Sequence, residues 1–337
     1  MKIDIFPHIL PVKYKEALNE IGSPSSFWKQ HFIARWEKSA PMVYDLDLRF
    51  QLMDKYDGLM QVLTLAAPPI EQMVSPAKAV DLAKLANDEL AELVVKYPDR
   101  FAAAVACLPM NNIDAALKEV DRAIKELGLR GVQIYTPIND KPLDLPEFMP
   151  LYEKMSQYNL PIWIHPNRGA DFADYKTLKK SMYQIQGTFG WPYDTTAAMT
   201  HLIFSGVFDK WPNIKFITHH AGGMVPYFAQ RIACFYDIKK LSGTSLEGQT
   251  KAPIEYYKMF YNDTALYGHT PGLMCAYAFF GADHLLFGTD MPLGDPDHGF
   301  KITGQTISAI DQMDITEVEK KKILGENARS LLCLPVQ

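Results

Sequence analysis

Eight short apolar runs, rich in β-branched residues and mostly separated by segments with helical periodicity, constrain this chain more than any other feature. They are KIDIF at 2–6, LMQVLTLA at 59–66, FAAAVACL at 101–108, RGVQIYT at 130–136, PIWIHP at 161–166, KFITHH at 215–220, MFYNDTA at 259–265 and HLLFGTD at 284–290. Runs that are apolar on both faces suit a parallel sheet covered by helices, because each strand is buried from two sides. The helical segments carry their own start and stop signals: Ser75 before PAKAVDLAKL, Gly128 after NIDAALKEVDRAIKEL, and Pro146 at the head of PEFMPLYEKMSQYN. Eight such units predict a closed (β/α)8 TIM barrel, α/β in class, formed by residues 1–337 as a single domain. An open doubly wound sheet is the competitor, but no GxGxxG turn follows the first strand.

Two connections are too long for simple turns. Residues 9–58 follow the first strand and 167–191 follow the fifth; in a barrel both insertions would cap the C-terminal mouth. Composition excludes several other roles. A net charge of -5, with lysine and arginine scattered, leaves no basic surface for nucleic acid. No apolar run is long enough to span a membrane, and the N-terminal residues lack the core of a signal peptide. Cys107, Cys234, Cys275 and Cys333 form no CxxC pair and sit in apolar contexts, which reads as buried free thiols in a cytoplasmic, reducing compartment.

The strand ends carry the chemistry. His8 lies just beyond strand one, His165 closes strand five, His219 and His220 close strand six, and Asp290 closes strand eight. In a barrel these ends ring one mouth, so imidazoles and a carboxylate far apart in sequence can hold a divalent metal with an open position. Each residue also has a bland reading, a core histidine or a turn-capping aspartate, but four such readings would have to coincide. Side chains alternate along a strand, so at most one of His219 and His220 is expected to face the mouth. His201 and His284 fall outside this ring. His269 is a weaker candidate for it.

Taken together, KIDIFPHILP, YPDRFAAAVACLP, ELGLRGVQI, LPIWIHP, GVFDKWPNIKFITHHAGGMVPYFAQRI, LLFGTDMP and GENARSLL resemble, in this order, the decarboxylase branch of the amidohydrolase superfamily. That branch includes 2-amino-3-carboxymuconate-6-semialdehyde and γ-resorcylate decarboxylases. The resemblance implies His8, His165 and Asp290 as metal ligands, with His220 and Asp290 as catalytic groups and His219 structural. It departs from the family at Phe6, where the first histidine of a His-x-His pair is expected. One divalent ion is implied, zinc first and manganese as the alternative. The implied reaction is non-oxidative decarboxylation of a small aromatic or unsaturated carboxylic acid, with hydrolysis or hydration as the alternative and a non-catalytic binding protein as a third reading. Substrate-contacting candidates are Arg231, Arg168, Phe6, Trp191, Phe189 and Leu293. A homodimer is implied too, since Arg231 matches an arginine that some members place across the subunit interface.

Overall fold

The computed structural model describes residues 1–21, 39–241, 249–292 and 299–335. Nine short strands are assigned: β1 (Lys2–Asp4), β2 (His8–Ile9), β3 (Leu59–Leu65), β4 (Phe101–Ala104), β5 (Ala106–Cys107), β6 (Val132–Thr136), β7 (Ile162–Pro166), β8 (Phe216–Thr218) and β9 (Tyr261–Asn262). All ladders between them are parallel. β1, β2 and β4 pair with β3, while β5 through β9 form a second sheet in sequence order. The two sheets are joined by single bonds, Val105 N–H to the Leu63 carbonyl at 2.9 Å and Arg130 N–H to that of Ala104 at 3.0 Å. Every residue of β3, β6 and β7 is buried, as expected for strands covered by helices on the outside. The layout is that of an α/β TIM barrel.

The eighth run departs from expectation. HLLFGTD forms no regular strand; it has an isolated bridge from Leu285 to Asn262 and single bonds from Leu286 N to Asn262 O and from Ile5 N to Phe287 O, both 2.9 Å. A side chain supplies the reason. Asp4 accepts hydrogen bonds from Thr289 N at 3.1 Å and Thr289 Oγ1 at 2.6 Å, and from Phe6 N at 3.1 Å, so its carboxylate stands in for ladder carbonyls between the first and last strand positions. The first and last strand positions are therefore linked by separate bonds, and among the described residues no continuous ladder closes the barrel that the sequence predicts. The same use of the Phe6 amide explains why the first run is split into β1 and β2.

Below the mouth the interior is filled by Ile3, Ile5, Val62, Val105, Trp163 and Leu286, contributed by different strand positions. Trp163 is the largest and donates its indole N–H to the Ile5 carbonyl at 3.0 Å. Its neighbour must be glycine: Gly131 has φ +149°, and a Cβ there would fall 2.5 Å from the Trp163 ring. Among the described residues, no helix is long and apolar enough to cross a membrane. The cysteines are free as expected, but only Cys107 is buried; Cys234 is exposed on a helix and Cys333 in the turn after the last helix, which the local apolar sequence did not reveal.

Candidate metal centre

Four side chains converge above this plug. One ligand atom each from His8, His165, His219 and Asp290 lies within 4.8 Å of all the others, and all four residues are buried. The inclusion of His219 corrects the expectation that it points into other surroundings. β8 ends at Thr218, His219 is still extended at φ -88°, and His220 turns into the left-handed region at φ +55°. Strand alternation stops there, so both imidazoles face the mouth, with ring centroids 4.0 Å apart.

Neighbouring groups fix which nitrogen of each ring is free. His165 Nδ1 lies 2.6 Å from the Pro166 carbonyl, which can only accept, so Nδ1 carries the hydrogen and Nε2 keeps its lone pair. The Thr64 hydroxyl donates to the Pro7 carbonyl at 3.0 Å and lies 3.4 Å from His8 Nδ1, which leaves His8 Nε2 to face Asp290 Oδ1 at 2.9 Å. His219 Nδ1 is held by Asp263 Oδ2, and its Nε2 sits 3.2 Å from Asp290 Oδ1 without hydrogen-bond geometry, an orphaned buried nitrogen. A lone pair and a carboxylate oxygen that face each other at 2.9 Å require a cation between them, either a proton or a metal ion.

The electrostatics agree. Burial pushes the His8 and His165 pKa values down and His220 to about 4, favouring neutral imidazoles. Burial works against the His219 cation as well, but Asp263 and Asp290 outweigh it and raise its pKa to about 10. Burial alone would raise the Asp290 pKa; His219 and His8 outweigh it and hold the carboxyl well below the usual range. A proton thus occupies a cluster whose donor set, three imidazole nitrogens and one carboxylate, suits a divalent ion.

Phe6 is fully buried within this cluster, its ring stacked on His219 at 4.2 Å and 22° and within 6 Å of His8 and His165. Trp191 forms another wall, 5.9 Å from His165 and 6.2 Å from His220. Other candidates are placed elsewhere. Arg168 is committed to Asp194 at 2.9 Å and lies over the Phe172 ring, so its charge is already neutralised. Phe189 is 61% exposed and forms no wall. Arg231 is exposed on the Val225–Leu241 helix, over Phe235, and outside this chain's own cluster. Leu293 falls outside the described residues, as do His31 and His298. His269 is exposed at the head of the Thr270–Phe280 helix, apart from the cluster.

Two participants were missed from sequence. Asp263 orients His219 while accepting from Ala221 N at 3.0 Å and Ala265 N at 3.1 Å, and Tyr267 donates its hydroxyl to Asp290 Oδ2 at 2.8 Å. Asp263 directly follows β9, a strand-end position like those that drew attention to the other residues, but within the seventh run it was passed over. Tyr267 gave no signal, since its ring is 47% exposed and only its hydroxyl turns inward. Carboxylates that orient a ligating imidazole are worth roughly 10–100-fold in metal affinity. Asp263→Asn should weaken binding by about that factor, measured by competition with a chromogenic chelator, and unaltered affinity would remove Asp263 from the centre.

The chain has relatives along nearly its full length. It is 28% identical over 348 residues to 2-amino-3-carboxymuconate-6-semialdehyde decarboxylase of Dictyostelium discoideum, covering 99% of this chain and 92% of that one. It is 29% identical to γ-resorcylate decarboxylase of Polaromonas sp. strain JS666, over 89% and 91% of the two chains. Among solved structures, a dihydroxybenzoic acid decarboxylase from Polaromonas sp. JS666, with bound manganese and the inhibitor 2-nitroresorcinol, superposes with a TM-score of 0.78 at 26% identity, over 98% of this chain and 96% of that one. Residues 26–334 match the amidohydrolase family model, and with strand-end histidines and an aspartate gathered over a parallel α/β sheet, the chain belongs to that family.

Proposed function

We propose that this amidohydrolase is a metal-dependent, non-oxidative decarboxylase of a small aromatic carboxylic acid. The observation that carries the reading is the buried group of three imidazoles around Asp290, whose two oxygens are divided between different tasks. Oδ1 faces His8 and His219, while Oδ2 accepts from Tyr267 and lies 4.0 Å from His220.

His8, His165, His219 and Asp290 would hold the ion, zinc on donor count and manganese as the alternative that the Polaromonas structure supports. When bound, the ion supplies a fixed positive charge against which a carboxylate and a neighbouring oxygen can gather. Asp290 rests ionised, so it first acts as base. It takes a proton from a hydroxyl of the arriving acid, its carboxylate oriented by the hydrogen bond from Tyr267, and passes the proton to the ring carbon bearing the carboxylate. Protonation at that carbon lets the bond to the carboxylate break; its electron pair returns to the ring, and CO2 leaves. His220, kept neutral by burial and by His219, orients the acid's hydroxyl as hydrogen-bond partner. Phe6 and Trp191 give the flat apolar walls that an aromatic ring needs.

In this reading Phe6 stands where relatives of the muconate-semialdehyde type place a first histidine, and Phe6 narrows the face of the centre open to ligands. In the same reading the described parts of the two long connections, 9–21, 39–58 and 167–191, cap the mouth, while 22–38 lie outside the described residues. The exposed position of Arg231 supports a homodimer in which the arginine of one protomer serves its partner's site. Four free thiols support a reducing, cytoplasmic setting. The test is CO2 release from hydroxybenzoates and muconate-type acids by protein loaded with zinc or manganese. Turnover of at least one acid with stoichiometric CO2 is expected; hydrolysis of amides or lactones without CO2 release would overturn the assignment.

A further inference from the structure

On the side of the mouth built by β3, β5 and β6 lies a small cavity that the proposed reaction does not use. Leu65, Pro68, Glu71, Cys107, Gln133 and Tyr135 help to line it, and its volume of about 10 Å³ is roughly that of one water-sized group. Two neighbours tie it to the metal centre. Tyr135 pairs in register with His165, the rings 5.3 Å apart, and Leu65 follows Thr64, whose hydroxyl lies beside His8.

Among the described residues, some of the polar atoms around this space lack partners. Gln133 Nε2 donates to the Leu65 carbonyl and to the Tyr135 hydroxyl, each at 2.9 Å. A carbonyl can only accept, so the amide orientation is fixed and Gln133 Oε1 is left as a buried acceptor without a donor. Glu71 Oε1 and the Tyr14 hydroxyl are buried and unpartnered as well. Glu71 sits on the Ile70–Met73 turn, 6% exposed, and no ion pair reaches it among the described residues. Burial lifts its carboxyl to about 7, so near neutral pH it can also offer a hydrogen. Tyr14 adjoins the cavity, packed in one buried cluster with Leu65, Ile70 and Cys107 of its wall, and burial, then Cys107, Tyr135 and Glu71, raise its pKa well above the ordinary value. Leaving buried polar atoms unpaired costs folding free energy. Two of them in residues of the wall and a third beside it, next to room for one small group, describe a recognition site.

Building on the proposed function, we propose that this chamber is a subsite for one hydroxyl group of the carboxylic acid substrate, the hydroxyl donating to Gln133 Oε1 and accepting from Tyr14 or Glu71. Water has the same chemistry and fills the chamber when no acid is bound. A methyl group would leave all three protein atoms unpaired. A second carboxylate would set its oxygens against those of Gln133 and Glu71, and an amine would offer the Tyr14 hydroxyl a poor acceptor.

The test compares pairs of aromatic acids that differ by one ring hydroxyl, with binding measured by calorimetry on metal-loaded wild-type protein, Tyr14→Phe and Glu71→Met. At one ring position the wild type should prefer the hydroxylated acid by tenfold or more, the direction expected of sites built to bond a hydroxyl. Each variant should lower that ratio at least fivefold; Tyr14→Phe keeps the test open should Glu71→Met fail to fold. A crystal structure of the complex should place the acid's hydroxyl oxygen within hydrogen-bond distance of Gln133 Oε1. An unchanged ratio in the folded variants, or a water that stays in the chamber beside the bound hydroxylated acid, would overturn the subsite. Because the readout is binding, hydroxyl preference without CO2 release would sink decarboxylation and leave the subsite standing. CO2 release with an unaltered ratio would do the reverse.

Discussion

Asp290→Asn is expected to lower kcat by about a thousandfold or more, even with metal at saturation, the scale seen when a group acting in the transition state is lost. The amide keeps the size of the carboxyl and can still meet Tyr267, but it cannot shuttle a proton to carbon. It also removes the negative charge that faces His8 and His219. Metal affinity should therefore fall together with kcat, and titrating metal while following turnover separates the two effects. If activity returns to a tenth of wild type at high metal, Asp290 is a ligand only, and the proton passes elsewhere.

Dialysis against a strong chelator should abolish turnover and also lower the melting temperature. An ion that binds only the folded chain stabilises it by RT ln(1 + [L]/Kd), about 2.7 kcal/mol at a concentration one hundred times Kd. With about 2.1 cal/mol/K of unfolding entropy per residue, a chain of 337 residues shifts by roughly 1.4 °C per kcal/mol, so the melting point should drop by about 4 °C. Zinc or manganese should restore both properties together. The pH dependence has a definite sign. Neutral imidazoles and a carboxylate are the binding forms, so a proton must leave as the ion enters, and affinity should weaken as pH falls. Restored stability without restored CO2 release would make the ion structural, and a metal-free enzyme of full activity would remove it from the reaction.

The alternation of apolar runs with helices made the parallel α/β layout legible, and polar residues at the run ends pointed to His8, His165 and Asp290, which the fold gathers with His219. Reading His219 required knowing where β8 stops. Alternation is a rule of strands, and the chain leaves the strand conformation at His220, the first of four successive residues with positive φ, of which only Gly222 and Gly223 carry a marker in HHAGG. The eighth run misled for a related reason: its composition suits a strand, but Asp4 takes the bonds that a ladder would have used. Arg168 looked available because sequence cannot show that Asp194, 26 residues on, neutralises it. Glu71 and Gln133 gave no signal either, because a buried atom without a partner is defined only by what surrounds it.

The bond between His8 and Asp290 joins residues 282 positions apart, and the bonds between Asp4 and Thr289 span 285. The centre therefore cannot exist in part. On the ribosome His8 emerges long before Asp290, so that histidine has no carboxylate to meet until nearly three hundred residues have followed. Contacts of such sequence separation close late, after local helices and neighbouring strands have formed. Metal capture in this protein is consequently a report of finished folding, and a chain arrested or cleaved before residue 290 would compete for the cell's metal with scattered single histidines.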